Sequence, residues 1–576
     1  MSRLPFGVLQ PFKPRQFVPS GTDLGNYAQI EPLLNQLEVL AKECRTVAEF
    51  EKWILAWGEL SAAIDEESSR RHIAMTCFTE DTELEKAYLY FVEHVEPPLK
   101  PRQQRLAEIF LAHPLRTQLP ESRYKVFLRD TALRVEIFRQ ENVALETEEA
   151  KWGQQYQKLS GSLTVQFQGK ERTLPQLGPF LEEQDRTVRQ EAWEVSAARR
   201  LKERELFEDQ FEAMLALREQ IATNAGFANY RDYAFRSRGR FDYTPDDCTR
   251  FHVAVESVVI PALRELQAKR KATLKLDQLR PWDLAVDPQN LAPLRPFKDV
   301  SRMIERSQTI FDRISAPLGD GFRLMQERKL LDLENRKGKA PGGYQSTLSE
   351  ARVPFIFMNA VGVQRDVETM LHEAGHAFHA LATQQEDLYA YRGAPIEFCE
   401  VASMSMELLG NEFLDEFYSP ADAQRARRDH LEGILKILPW IAIVDAFQQW
   451  IYTHPKHSRL ERTEAWVGLI KRLGDAVDWT GYEEIRANLW HRQLHIFLYP
   501  FYYIEYGIAQ LGALQVWANS KKNKAAALQA YRNGLALGGS RPLPELFEAA
   551  GCRFDFSQAT VKPLVQLVRS ELAAIS

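Results

Sequence analysis

The sequence predicts a mainly α-helical protein, and three observations carry that expectation. Tracts at 30–68, 82–113, 122–159, 183–224 and 246–273 repeat Leu, Ala, Glu, Arg and Lys at helical spacing with few breakers. Strand signals are confined to two short stretches. The composition is that of an ordinary globular chain, 45% hydrophobic and 26% charged, so its 576 residues supply several packed units.

Taken in order, residues 17–29 read as an extended lead-in to the helical tracts. The first strand signal, at 161–174, alternates on either side of Gln168-Gly169-Lys170, which is a hairpin pattern. Proline-rich connections fall at 275–298 and 339–342. The second strand signal is Arg352-Val-Pro-Phe-Ile-Phe-Met-Asn359, preceded by Gly342-Gly343-Tyr344. Pro354 places it at a sheet edge, because proline cannot donate to a ladder. The most apolar stretch, Ile434 to Ile451, is interrupted by Lys436, Pro439 and Asp445 and reads as a buried helix rather than a membrane span. The coarse division is a helical region at 1–200 followed by a second at 201–576, with no flexible linker between them.

Charge and cysteines narrow the function classes. A net charge of −6 without any Lys/Arg block argues against a nucleic-acid or anionic-membrane surface. Arg102-Gln-Gln-Arg105 and the pair Arg199-Arg200 read as solvated helix faces. The N-terminus carries no apolar core of a signal peptide. Five scattered cysteines, none at metal or redox spacing, suit reduced thiols, so a cytoplasmic location is expected.

The chemistry concentrates at His372-Glu-Ala-Gly-His376. On a helix the two imidazoles lie one turn apart on one face and can bind one Zn²⁺, while Glu373 can deprotonate a bound water. Residues 366–383 lack proline, and Val367, Met370, Leu371, Ala374, Ala377, Phe378 and Leu381 recur with helical period. Gly375 in mid-helix suggests close approach of something to the backbone, such as the neighbouring metal-site helix. His379 shares the ligand face, but a third donor so close along one helix has poor tetrahedral geometry, so it reads as a supporting histidine.

The third ligand is expected on a second helix, at 394–409, with Pro395 at its start and Gly410 at its end. Glu400, Ser403 and Glu407 share one face. A carboxylate in the middle of so apolar a helix is expensive to bury unless it is paired or ligates a metal, which nominates Glu400, with Glu397 as its nearest competitor. Glu368 or Ser403 is expected to orient a ligand imidazole. An exposed edge of the 352–359 strand would offer backbone groups to an extended peptide. Near the C-terminus, His495-Ile-Phe-Leu-Tyr-Pro-Phe-Tyr-Tyr-Ile-Glu-Tyr506 is rich in phenols, and Tyr503 and Tyr506 fall one turn apart if a helix begins near Pro500. Such donors suit an oxyanion, although an aromatic core stripe has the same spacing.

Together these residues resemble the thimet oligopeptidase and oligoendopeptidase F family of zinc metallopeptidases. The resemblance runs through Gly342-Gly343-Tyr344, the Pro-Phe-Ile-Phe-Met-Asn strand, Asp366-Val-Glu-Thr before the His pair, Glu400 to Glu407 and the tyrosine stretch. Upstream it takes in Leu174-Pro-Gln-Leu-Gly-Pro-Phe-Leu, Asp185-Arg-Thr-Val-Arg189, Tyr230-Arg-Asp-Tyr233 and Pro281-Trp-Asp-Leu284, implying a small hairpin-containing module at about 110–200. What the resemblance implies is a two-lobed, nearly all-helical zincin peptidase with a deep central channel and a few short strands near the zinc helix. It implies one Zn²⁺ on His372, His376 and Glu400, with Glu373 as general base. It implies Glu368 behind the ligands, and His495, Tyr503 and Tyr506 at the substrate. Family members cleave short unfolded oligopeptides. Thimet-like members carry a glycine-rich loop before the tyrosines; here Ile496-Phe-Leu-Tyr-Pro500 has no glycine, which questions a swing of the tyrosines and makes Tyr502 a substitute for Tyr503. The expected activity is an endo-acting zinc oligopeptidase. A carboxypeptidase or peptidyl-dipeptidase, which would need a cation for the substrate carboxylate, and a peptide-binding scaffold with a vestigial metal site are the alternatives.

Overall fold

In a computed structural model, residues 4–575 are described. The chain forms two compact units, each assembled from separated stretches of sequence. The first comprises 1–136, 294–427 and 512–554; the second comprises 137–293, 428–511 and 555–576. Helices dominate both, as the periodicity predicts. The tract at 30–68 divides into Tyr27–Glu43 and Val47–Cys77. The break falls where Thr46 caps the second helix and Glu49 reaches back to the cap, satisfying orphan donors from both sides. The expected extended lead-in ends early, because Asn26 already caps a helix from Tyr27.

The core of the first unit lies where these helices meet Glu96–Ala112 and Glu121–Ile137, around Ile30, Leu37, Phe50, Trp53, Leu106 and Phe110. Phe50 stacks on both Trp53 and Phe110, at centroid separations of 5.4 and 5.7 Å. The predicted hairpin, in the second unit, consists of β1 (Thr164–Phe167) and β2 (Lys170–Thr173), antiparallel. Gln168 and Gly169 both take positive φ (50° and 72°), the two-residue turn whose twist matches its strands.

Three further strands, β3 (Leu331–Glu334), β4 (Tyr344–Leu348) and β5 (Val353–Ala360), form a sheet in the order β3-β5-β4 within the first unit. This corrects the edge position expected for the 352–359 strand: β5 is central and almost wholly buried, and β4 is an edge. Pro354 is tolerated because β3 does not reach it. The Ile356 N–H donates to the Leu330 carbonyl at 2.9 Å, and the nitrogen of Pro354, two residues earlier, points the same way, beyond the end of β3. Neither β3 nor β4 announces itself in the sequence, being short and only partly apolar.

In the second unit, two of the quoted motifs meet. Arg186 and Arg189 both grip Asp283, which is fully buried: Arg186 through two bonds of 2.9 and 2.8 Å, Arg189 through one of 3.2 Å. Arg189 also donates to the Trp282 carbonyl. A second buried cation, Arg218, donates to Glu149 at 2.6 Å, to the Tyr452 hydroxyl at 2.8 Å and to the Ile496 and Phe497 carbonyls. Among the described residues no helix is long and apolar enough to cross a membrane; the stretch around Pro439 lies inside the helix Pro420–Thr453.

Candidate metal centre and the histidine–tyrosine cluster

The His pair stands on the helix Gln364–Ala382 and the nominated carboxylate on the helix Ile396–Gly410, both in the first unit. The first helix starts where Asp366 accepts the backbone N–H groups of Val361, Gly362 and Val363 at 2.8, 2.8 and 3.0 Å. The two helices cross where each has lost a side chain. A Cβ on Gly375 would lie 2.5 Å from Ser403 Cα and 2.6 Å from the Ala402 carbonyl oxygen. One on Gly410 would lie 2.8 Å from the Leu371 methyls. The close approach expected at Gly375 is therefore made by the glutamate helix itself.

That crossing gathers three donors. One ligand atom each from His372, His376 and Glu400 lie within 4.8 Å of one another. Glu400 Oε2 is 3.4 Å from His372 Nε2 and 3.8 Å from His376 Nε2. Glu397, one turn earlier, is buried but outside this group. The other ring nitrogen of His372 meets Glu407 Oε1 at 2.6 Å, so Nδ1–H donates and Nε2 is left for a ligand. His376 is hydrogen-bonded to the Cys399 backbone.

The environment fits a divalent cation. Glu373 and Glu400 are only 8% and 6% exposed, and Glu407 adjoins them, so buried negative charge is in excess. Burial opposes a charge on His372, but Glu407, Glu400 and Glu373 outweigh it and raise its pKa to about 9. Burial and the His372 charge press His376 down to about 3. Burial, with the Glu400 charge, lifts Glu373 to about 7, while His372 opposes the rise. A dication shared by the two imidazoles and Glu400 relieves the same excess that otherwise keeps a proton on His372. A cavity of about 610 Å³, lined by His372, Glu373, Glu407, Glu368, Arg365 and Gly343 among others, opens onto these groups.

The expected supporting residues are placed as follows. Ser403 donates its hydroxyl to Glu400, at 3.0 Å to Oε2 and 3.0 Å to the backbone carbonyl, and so steadies the carboxylate rather than an imidazole. Glu368 accepts from Gln364 at 3.1 Å. His379 is buried with its ring edge-on to Phe398, and burial lowers its pKa to about 4. The carboxylate set against His372 is Glu407. Its signal was the shared face with Glu400 and Ser403.

His495, Tyr503 and Tyr506 lie in the second unit and form a cluster of their own. The His495 ring is 4.8 Å from Tyr503, 5.9 Å from Tyr506 and 5.8 Å from Tyr502. His495 stands on a short helix, Leu494–Leu498, rather than in the expected loop, and the tyrosine helix is Tyr503–Lys522. Trp440 Nε1–H donates to Gln493 Oε1 at 2.8 Å, which turns the Gln493 amide so that its NH₂ donates to His495 Nδ1, also at 2.8 Å. Burial and the nearby Arg238 charge hold His495 near a pKa of about 4, so the ring is neutral and its proton sits on Nε2. Tyr503 is 9% exposed and its pKa is raised to about 12, chiefly by burial; Tyr502 and Tyr506 are half-buried.

The glycine-free turn before the tyrosines is tied by arginines at four carbonyls. Arg218 holds the Ile496 and Phe497 carbonyls, Arg238 holds Pro500 and Arg240 holds Phe501. The Phe501 N–H donates to Gln448 at 2.8 Å. Phe501 is buried with a φ of 63°, an uncommon conformation for a bulky residue that these bonds sustain.

A helical frame that sets two histidines and a glutamate together beside a buried second glutamate is that of a metallopeptidase. The chain belongs to peptidase family M3: the family's signature matches residues 180–565, and that of the M3 N-terminal domain matches 24–138. It is 25% identical over 304 residues to oligopeptidase PepF of Bacillus subtilis (strain 168), covering 51% of this chain and 43% of that protein. It is 25% identical over 327 residues to an oligoendopeptidase F homolog of Borreliella burgdorferi, covering 55% and 54%. The match thus spans about half the length of these curated relatives. The solved structure of PZ peptidase A with an inhibitor superposes with a TM-score of 0.88 at 28% identity, covering 97% of this chain and 99% of that one.

Gly375→Ala is expected to force the two helices apart, lowering stability by about 1–3 kcal/mol and metal affinity by about tenfold or more. Thermal melting and metal titration measure both. Gly433→Ala, where an added Cβ meets nothing within 4 Å, is the control expected to leave both intact. Unchanged melting and metal affinity in Gly375→Ala would contradict the close crossing.

Proposed function

We propose that the protein is a zinc-dependent endopeptidase that hydrolyses peptide bonds within short unstructured oligopeptides. The observation that supports this best is the meeting of His372, His376 and Glu400, with Glu373 buried beside them and a cavity open to both. The donor set, two imidazoles and one carboxylate, is one that suits zinc with a position left for water or substrate. When bound there, zinc supplies Lewis acidity toward water and toward the scissile carbonyl.

The chain's own residues do the rest. Glu407 keeps His372 in the tautomer that presents Nε2, and Ser403 holds the Glu400 carboxylate in one orientation. Glu373 is the general base: it takes the proton of the attacking water and returns it to the leaving amine. Its burial and carboxylate neighbours keep it from being too weak a base, while a cation at the ligands draws its pKa back down. The family resemblance assigns His495, Tyr503 and Tyr506 to the substrate. Tyr506, half-buried with its phenol in the histidine cluster, is the proposed donor to the oxyanion, and His495 with its proton on Nε2 is a second donor.

The alternative, a carboxypeptidase or peptidyl-dipeptidase on the same fold, needs a cation for the substrate carboxylate. Arg365 lines the cavity that holds His372 and Glu373, which keeps this second reading in play.

The experiment is digestion of a peptide acetylated at one end and amidated at the other. Internal cleavage is expected from the wild-type chain, and Glu373→Gln should keep its fold and metal while losing nearly all turnover. Substantial turnover by the metal-replete variant would refute Glu373 as base, and failure on the doubly blocked peptide with cleavage of its free-acid form would favour the exopeptidase. Tyr506→Phe should lower kcat by about 10²–10³; a change confined to KM would assign Tyr506 to binding alone.

A further inference from the structure

His495 is backed by two side chains that the proposed reaction does not use, Gln493 and Trp440. Gln493 sits at the joint between two short helices, Leu489–Arg492 and Leu494–Leu498. Its N–H donates to the Trp490 carbonyl at 3.0 Å and its carbonyl accepts the Ile496 N–H at 3.0 Å, so its backbone is held from both sides. Trp440 comes from the long helix Pro420–Thr453, with its ring edge-on to Trp466 at 5.7 Å and beneath the Arg492 guanidinium at 5.2 Å. Both partners are thus fixed apart from the bond they make to each other.

The direction of that bond has a consequence two residues away. An indole can only donate, so Gln493 must turn its Oε1 toward Trp440 and its NH₂ toward His495. The NH₂ can only donate in turn, which requires a bare Nδ1 on His495. A carboxylate at 493 would accept from both neighbours and would call for a proton on Nδ1, leaving Nε2 bare in the neutral ring. The amide at 493 therefore decides which nitrogen carries the proton. Nε2 has no partner among the described residues and the ring is half-buried, so its N–H is open to a ligand.

The rings around His495, those of Tyr499, Tyr502, Tyr503 and Tyr506, are phenols, uncharged at neutral pH. The charge that acts on it is that of Arg238, which lies 3.6 Å from Glu505; Glu505 is held in turn by Arg240 at 2.8 Å. A neighbouring cation favours the neutral imidazole and leaves the choice of tautomer to Gln493.

We propose that Gln493 and Trp440 are positioning residues for peptide hydrolysis: the indole fixes the amide, and the amide fixes His495 as a neutral donor through Nε2–H. This rests on the reading of His495 as a donor to the oxyanion. A developing oxyanion needs a proton already aimed at it, and a bare Nε2 would repel it. Set from the Nδ1 side, the ring offers that proton without being charged, so the donor is not lost as the pH rises.

The test is nitrogen NMR of the full chain with its 12 histidines ¹⁵N-labelled, the His495 signals being identified by their loss in His495→Gln. In the wild type Nδ1 is expected bare and Nε2 protonated; in Gln493→Glu, which keeps the volume, Nδ1 is expected protonated. Trp440→Phe keeps the ring beneath Arg492 but frees the amide to turn, and should give a mixture of the two tautomers. The kcat of Gln493→Glu should fall about tenfold or more at alkaline pH, with KM little changed. The new carboxylate raises the His495 pKa, and the imidazolium regains the proton on Nε2, so the ratio of variant to wild-type kcat should recover as the pH is lowered. Gln493→Met, with no amide, should lower kcat without that recovery. A wild-type proton on Nδ1, or one tautomer shared by wild type, Gln493→Glu and Trp440→Phe, would overturn the relay. A changed tautomer with unchanged kcat would overturn the positioning role. Absence of any peptide hydrolysis by the wild type would instead refute the proposed function, and the tautomers, which need no turnover to be read, would still decide the relay.

Discussion

The candidate metal centre depends on one contact, the passage of the glutamate helix across Gly375. Three donors must converge within a few ångströms, yet two come from one helix and the third from another. Ordinary helix pairs keep their axes 8–10 Å apart because side chains fill the space between them. Here a side chain at 375 would overlap the Ser403 backbone, so the glycine is what lets Glu400 come within 3.4 Å of His372. The same approach brings Glu407 to the opposite nitrogen of that ring and lays Ser403 beside Glu400. Tyr531 donates a hydrogen bond to the Ala402 carbonyl at 2.8 Å, holding the same oxygen that Gly375 faces. A mid-helix glycine costs about 1 kcal/mol relative to alanine, and that cost is the condition for a site built from two rigid elements.

Much of this site was legible in the sequence because its signals are local. Histidine spacing, the mid-helix glycine and a lone carboxylate in an apolar helix are each read within a few residues. Glu368 and Ser403 were the residues expected to orient an imidazole, and Glu407 meets the His372 Nδ1 instead: telling them apart requires the crossing angle of two helices, and periodicity gives only the face. The edge assignment of β5 failed for a related reason. Proline forbids one ladder bond, and the sequence cannot say that β3 stops short of that bond. The hairpin at Gln168-Gly169 was legible because its turn chemistry is complete within two residues. The interleaving of both units along the chain is a long-range property, and no change in composition marks the points where the chain leaves one unit and enters the other.

Buried arginine organises the second unit in a way that helical periodicity does not express. Arg218, Arg238 and Arg240 spend their donors on the carbonyls of a single irregular turn, and Arg189 and Arg186 join two distant motifs through Asp283. A planar cation with five donors satisfies several backbone acceptors at once, which a lysine cannot do.

The most direct measurement of the central claim is the metal content of two glutamine variants of neighbouring buried glutamates. Glu400→Gln keeps the volume and removes the ligand charge, whereas Glu397→Gln alters a side chain one turn away on the same helix. If the crossing at Gly375 assembles the centre from His372, His376 and Glu400, elemental analysis will find stoichiometric zinc in the wild type and in Glu397→Gln and a loss of it in Glu400→Gln. Zinc retained by Glu400→Gln and lost from Glu397→Gln would contradict that assembly.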